Sequence, residues 1–445
     1  MKKRTAALLL ALLLLPMGAG AKSAIPKALR FTQKATARKI NETVTLRRTY
    51  PETSQPAVNE EMRRVINDLA EKNKGRLPKK NGYLDVGASI FRTGPQYMSF
   101  LTVARTVEDK KQLYADCDAR VYDMKTGARV TLDDLFDADS PAWALLADEV
   151  RQQVTAYFSG TDPDPDKLSA LCEKDALKSA GFTLSPARLS LHYRADAVYP
   201  GKKTLMHVHV YYPRIREYMT EHAREMTDAG RYKLIALTYD DGPARGLSMA
   251  VMNELRLAGA SATFFLVGTS IRDNNDVVRR EHDAGHTVAS HNYYHVYQNI
   301  TRANVKKWRT AQDKRMNALI GLKATLLRAP GGNARAFAAA KCDLPLIQWS
   351  APAEDAPGGG NSAEFIAERL RLQMRDGAVV LMHDLNPHVQ SYTKEFLEAL
   401  EKKNFLCVTV EELFSAYGAE LKPNKIYKSC EKRAEKQAAE LEKAP

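Results

Sequence analysis

Long apolar runs are almost missing from this 445-residue chain. The one uninterrupted run, Ala6 to Leu15, falls well short of the roughly 20 residues that cross a bilayer. It follows the positive start Met1-Lys2-Lys3-Arg4 and precedes Pro16 and Ala19-Gly20-Ala21, the pattern of a secretory signal peptide with a small-residue cleavage site. Residues 1–21 are therefore expected to be removed. The mature chain is expected outside the cytoplasm, secreted or at the cell envelope, without a stable membrane span. Cysteine is also scarce: there are five, none in a C-x-x-C pair, which excludes a zinc ribbon or a dithiol redox motif. Cys117 and Cys172 are a conceivable pair, Cys342 and Cys407 read as small core residues, and no bridge is assigned. Acidic residues are in deficit, 53 against 66 Lys and Arg, for a net charge of +13. The basic residues are scattered rather than interleaved with aromatics, and with export this argues against nucleic acid. An anionic envelope polymer is the expected partner, with plain solubility charge as the simpler reading.

What is present divides into two regions. Residues 22–225 read as an α+β accessory domain, with strands at 44–50, 97–105, 113–122 and 205–212. Helices are expected at 58–73 and 142–158, where apolar residues recur at helical spacing. The polar breaker Thr161-Asp162-Pro163-Asp164-Pro165-Asp166 suggests two lobes. His207 and His209 alternate along a strand and read as structural. A charged linker is expected at 221–231. From Lys233 strand and helix alternate strictly, with strands at 233–239, 262–267, 286–290, 326–328, 344–349, 378–382 and 405–410 and the longest helix at 303–320. That order predicts about seven parallel strands, open or closed into a barrel, over residues 233–417. Residues 421–445 read as a charged tail, an exposed helix or a frayed end.

Five polar clusters stand where those strands end: Thr238 to Pro243, His291 to His295, Arg328 to Gly332, Trp349 to Asp355 and Leu381 to Asp384. Each alone is a turn, a cap or a satisfied histidine. Together, on the face where strand ends converge, they predict a metal hydrolase. A catalytic divalent ion takes three His or carboxylate ligands and leaves a position open for water. His291, His295 and one member of the Asp240–Asp241 pair supply that set. The other Asp, pointing elsewhere, can hold a proton of the attacking water, whose pKa the ion lowers. Arg328 would keep that carboxylate ionised, and His383 would protonate the leaving group.

In this order Asp240-Asp241-Gly242-Pro243, His291-x-x-x-His295, Arg328-x-Pro330-x-Gly332 and Leu381-x-His383 resemble the polysaccharide deacetylases of carbohydrate esterase family 4, the NodB homology domain. The resemblance implies a distorted (β/α) barrel and hydrolysis of acetyl groups on glycans. It implies Asp240 as general base, Asp241, His291 and His295 as ligands of a metal, usually Zn²⁺, Arg328 as partner of Asp240, and His383 as general acid. The Gly331 N–H would help hold the oxyanion, and Trp349 and Leu381 would line the pocket. Asp355 is the best match for the carboxylate that holds the catalytic His, with Glu354 the alternative. Three departures bear on the site. Tyr239 replaces Phe, Asn292 stands where Ser or Thr is usual, and Gly331 replaces an aromatic, which would leave one wall of the groove open. Peptidoglycan is the expected substrate. Chitin oligomers, poly-N-acetylglucosamine and acetylxylan are the alternatives, with a non-catalytic envelope-binding protein further off. In the first region Tyr50-Pro51, Asn59, Asp123 to Gly127 and Leu132 to Phe136 resemble a domain that precedes the deacetylase in some Bacillus wall deacetylases and forms the ectodomain of lysozyme-sensing anti-sigma factors. The implied role is positioning at the envelope.

Overall fold

A computed structural model describes residues 24–441; the expected signal peptide lies outside them. Six strands form the first sheet in sequence order: β1 (Phe31–Lys39), β2 (Val44–Thr53), β3 (Gly82–Thr93), β4 (Tyr97–Glu108), β5 (Lys111–Asp123) and β6 (Arg129–Val130). Neighbours pair antiparallel except β2 and β3, which run parallel because the helix Pro56–Lys72 crosses between them. β7 (Phe182–Leu184), β8 (Arg188–Arg194) and β9 (Leu205–Tyr211) form a second, three-stranded sheet with the helices Ala142–Ala156, Pro165–Cys172 and Lys174–Ser179. The region therefore has two lobes. It holds more strands than its apolar pattern announces, because Asp85, Gly87 and Ser89 dilute β3 and β1 is almost wholly exposed.

The third unit is the barrel. Its strands are β10 (Lys233–Asp240), β11 (Thr263–Leu266), β12 (Thr287–Ser290), β13 (Leu346–Ile347), β14 (Ala351–Pro352), β15 (Val379–His383), β16 (Phe405–Val408) and β17 (Ile426–Tyr427). All their pairings are parallel. Leu327 bridges Ser290 on one side and Leu346 on the other, and Ala351–Pro352 pair with Val380–Leu381, so the ring closes through residues 346–352. The strand expected at 326–328 is thus a single bridging residue. Along β10, Ile235, Leu237 and Tyr239 enter the core under the outer helices, while Leu234 and Ala236 join Phe265, Ala289, Ile347 and Val379 in another cluster. The period of two then carries Thr238 and Asp240 onto that second face, at the strand's C-terminal end.

Two expected boundaries are corrected. Residues 221–231 are no loose linker: Glu221–Met226 is a helix whose Ala223 and Met226 are buried in the second lobe's core. Of the two alternatives for residues 421–445 the helix holds and the frayed end does not: Glu431–Leu441 is a largely exposed helix, but it buries Ala434 beside Cys430, and β17 pairs with β13. So few apolar residues, set among Lys and Glu, leave no periodicity to read. All five cysteines are unpaired. Among the described residues no helix is long and apolar enough to cross a membrane.

The accessory lobes are docked onto the barrel. Val58, Met62 and Val65 of the first helix share a buried cluster with the barrel residues Leu234, Phe265 and Val379. Between the second lobe and the barrel helix Asn275–Asp283 lies a file of histidines. Thr183 Oγ1 is 2.8 Å from His192 Nε2, His192 Nδ1 is 2.7 Å from His207 Nδ1, and His207 Nε2 is 3.1 Å from the His282 carbonyl. A carbonyl only accepts, so His207 donates from Nε2, His192 donates from Nδ1, and both rings are neutral. Burial, then neighbouring cations, lower His192 to about 3, and burial first also depresses His207 and His209. The unfolded chain therefore binds protons that the folded chain refuses between pH 6.5 and about 3. Stability should fall as the pH drops through that window, by up to about 1.4 kcal/mol per pH unit for each ring. Denaturant titrations at pH 7 and pH 5 measure this, and a His192→Asn variant should flatten the slope.

Candidate active site

β10 ends on Asp240, and the chain turns at once through Asp241, whose φ of 76° aims its side chain away from that of its neighbour. Asp240 is buried; its Oδ1 accepts from Arg328 Nη1 at 2.8 Å. Arg328 is wholly buried and also donates to Thr238 Oγ1 at 2.6 Å and to the carbonyls of Ile347 and Gln348 at 3.1 and 3.3 Å. Phe265 lies under the guanidinium, 4.3 Å from ring centroid to Cζ.

His291 and His295 come from the loop after β12. His291 Nδ1 donates to the Arg328 carbonyl at 2.8 Å, which leaves the Nε2 lone pair free. That Nε2 and His295 Nε2 stand 3.3 and 3.2 Å from Asp241 Oδ1. Asp241 Oδ1 is buried and lacks a hydrogen bond of acceptable geometry. Three ligand atoms thus converge within 4.8 Å of one another, and His291 turns its Nε2 lone pair to the carboxylate. A carboxylate facing an imidazole lone pair is repulsive unless a cation lies between, so these residues fit a divalent metal. Asn292 sits at φ 63°, a left-handed conformation that Asn tolerates well, and its Nδ2 donates to the Tyr294 carbonyl at 2.9 Å. The departure at this position suits the loop.

Opposite, His383 ends β15. Its Nδ1 is 2.8 Å from Asp355 Oδ1, and its backbone N donates to Asp355 Oδ2 at 2.7 Å. Asp355 is buried and also accepts from the Tyr392 hydroxyl, whereas Glu354 is turned outward to Arg369 at 2.8 Å. Between the alternatives, the carboxylate beside His383 is that of Asp355. Burial disfavours the imidazolium, yet the Asp355 hydrogen bond and the charges of Asp355, Asp240 and Asp241 raise His383 above its ordinary value.

The cleft has a volume of about 620 Å³ and is lined by Asp240, Asp241, His291, His295, His383, Gly331, Trp349 and Leu381. Gly331 leaves no open wall. A Cβ there, at φ 61°, would come within 2.6 Å of the Tyr297 ring, which occupies that space from the neighbouring loop. The Tyr297 hydroxyl is 3.1 Å from His295 Nδ1. Tyr297 and Tyr392 escaped the sequence reading, and neither carries a spacing signal. Tyr297 lies two residues past the second His of its cluster; Tyr392 lies on a helix, away from the strand ends. Asp384 also has a place: a Cβ on Gly242 would collide with its carboxylate, which burial raises to about 7.

The family model for polysaccharide deacetylases matches residues 227–343. The chain carries a polysaccharide deacetylase domain. It is thereby a carbohydrate-deacetylase hydrolase, although the match ends before Asp355 and His383. A peptidoglycan-N-acetylglucosamine deacetylase of Listeria monocytogenes, PgdA, is 26% identical over 396 residues, 85% of this chain and 83% of that protein. A bifunctional xylanase/deacetylase of Pseudobutyrivibrio xylanivorans is 31% identical over 208 residues, 45% of this chain and 33% of that protein. Among solved structures, a family 4 acetyl xylan esterase of Clostridium thermocellum with bound cobalt is 25% identical, with a TM-score of 0.42, covering 44% of this chain and 98% of that one.

Partners that hold a metal-ligating imidazole contribute about 10- to 100-fold to metal affinity. Tyr297→Phe should therefore weaken divalent-ion binding about tenfold at unchanged stability, as measured by competition with a chelator.

Proposed function

We propose that the protein is an exported, metal-dependent N-deacetylase that removes acetyl groups from the amino sugars of peptidoglycan. One observation carries the chemistry. The Asp240–Arg328 pair and the His383–Asp355 pair flank one cleft, beside the convergent Asp241, His291 and His295. The similarity to the Listeria peptidoglycan deacetylase, extending over 85% of the chain, supports the substrate. The start of the sequence supports export.

A divalent ion held by Asp241, His291 and His295, most simply zinc for two imidazoles and a carboxylate, would polarise the acetyl carbonyl and lower the pKa of the attacking water. Asp240 accepts the proton of that water. Arg328 holds one oxygen of Asp240 and leaves the other to the cleft. As the C–N bond breaks, His383 gives a proton from Nε2 to the departing amine, and acetate remains. Asp355 holds Nδ1 and so fixes the tautomer, while Tyr392 holds Asp355. Trp349, Leu381 and Tyr297 are positioned to contact the sugar and its acetyl methyl. The similarity to a xylanase/deacetylase favours acetylxylan as a second reading of the same machinery.

Acetate should be released from purified peptidoglycan in the presence of Zn²⁺ and not with chelator. Release only from acetylxylan or chitin oligomers would move the substrate; no release from any of them would reject the proposal. Asp240→Asn should lower kcat by about 10²- to 10⁴-fold with metal content unchanged. The general acid must be protonated, so the rate should fall as pH rises through the raised His383 pKa. Asp355→Asn should move that alkaline limb to lower pH, read from the pH profile of kcat.

A further inference from the structure

A second cavity, of about 310 Å³, lies between the first sheet and the barrel. On the sheet side, register places Arg47 beside Asp85 and Asp85 beside Arg105, a cross-strand row on β2, β3 and β4. On the barrel side stand Arg256, near the end of the helix Arg245–Ala258, and Arg280 of the helix Asn275–Asp283. Arg48 completes the lining, so five arginines meet a single carboxylate. That carboxylate is taken, since Asp85 Oδ2 accepts from Arg280 Nη2 at 3.1 Å. Among the described residues Arg256 donates to the neutral amide oxygens of Gln33 and Asn253 and to no carboxylate, and Arg47 lies over the Tyr83 ring.

Arg105 is the telling residue. It is 7% exposed, its Nε has no hydrogen-bond partner, and among the described residues no carboxylate oxygen lies within 4 Å of its guanidinium. Burial and the adjacent Arg280 lower it to about 10, so it is charged at neutral pH. Asp283 and Asp85 offset its charge only from beyond ion-pair distance, an incompletely matched buried cation is unfavourable, and guanidinium forks match tetrahedral or planar oxyanions best. A dianion satisfies such an excess of charge better than a single carboxylate.

We infer that this cavity is a phosphate-binding site, taking a free phosphate or a phosphate group carried on a larger envelope molecule. Both barrel helices run back from the catalytic ends of their strands, so their C-terminal residues Arg256 and Arg280 lie at the opposite end of the barrel from His383 and Asp241. The site is separate from the chemistry and uses both domains. It gives the accessory region a concrete role, either holding the protein against a phosphate-bearing surface or sensing phosphate across the domain junction.

The test is thermal unfolding and calorimetry of the full chain with inorganic phosphate, at constant ionic strength maintained with chloride. A saturable rise in Tm and a measurable Kd are expected. Arg105→Met, which fills the same buried space without charge, should raise Kd tenfold or more, and so should the exposed Arg47→Ala. If either variant unfolds, the other decides. Acetate release from a small soluble substrate should be unchanged in both, and binding is read independently of that activity. A Tm rise that does not saturate, equals that in chloride, or survives in both variants overturns the inference. Glucose 1-phosphate and a glycerol phosphate polymer, compared with inorganic phosphate, separate the sources: tighter binding of the polymer marks a surface anchor, and tightest binding of the free ion marks a sensor.

Discussion

The buried Arg328–Asp240 pair is the contact on which the site depends. A wholly buried guanidinium is tolerable only when its charge is matched and its N–H groups are used. Here one arginine binds the carboxylate at the end of β10 and the carbonyls of residues 347 and 348, where the ring closes between β13 and β14. Its own carbonyl accepts from His291 and so sets the tautomer of a candidate metal ligand. The same residue thus fixes the proposed base, orients one ligand and joins the two segments that close the barrel. Replacing it would leave a buried carboxylate uncompensated, so loss of catalysis and loss of stability should come together there.

The barrel is not self-sufficient. Its interior cluster continues into the first helix of the accessory region, and Arg92–Glu401 and Arg188–Glu412 link the two parts at 3.1 and 3.5 Å. Ser185 of the second lobe also binds Glu412. Residues 426–441 close the far side through one short strand and one helix. Domain docking therefore rests on continuous apolar packing with a few buried polar ties.

The sequence disclosed the barrel and the polar clusters because both obey local rules: strand–helix alternation, and polar residues where a strand meets solvent. It favoured Asp355 over Glu354 by resemblance alone, since the divergence of the two neighbouring side chains follows from the left-handed turn at Glu354, φ 60°. It could not show that Tyr297 takes the space above Gly331, because that compensation comes from another loop and depends on distance alone. The tail and the linker misled for a related reason. Cys430, Ala434, Ala223 and Met226 are buried, yet a few small or flexible side chains among charges give almost no periodic signal. Arg105 was invisible for the opposite reason: in the sequence it is one basic residue among 66, and only the strand register gives it neighbours.

Charge and aromatic surface are divided between the two ends of the barrel, and the division suits an enzyme that works on a polymer. The catalytic cleft is open and bordered by the exposed rings of Tyr294 and Tyr297. Such rings grip the apolar faces of sugars wherever a chain happens to lie. They would hold a long glycan weakly at any one unit and let it be released after each hydrolysis. Had the arginine excess stood in this cleft instead, its field would have fallen on Asp240 and His383. A cation field lowers the pKa of an imidazole, which would leave His383 a poorer reservoir of protons at neutral pH. With the arginines at the far end, the field at His383 is set by the carboxylates of Asp355, Asp240 and Asp241, which is what its proposed role as general acid requires.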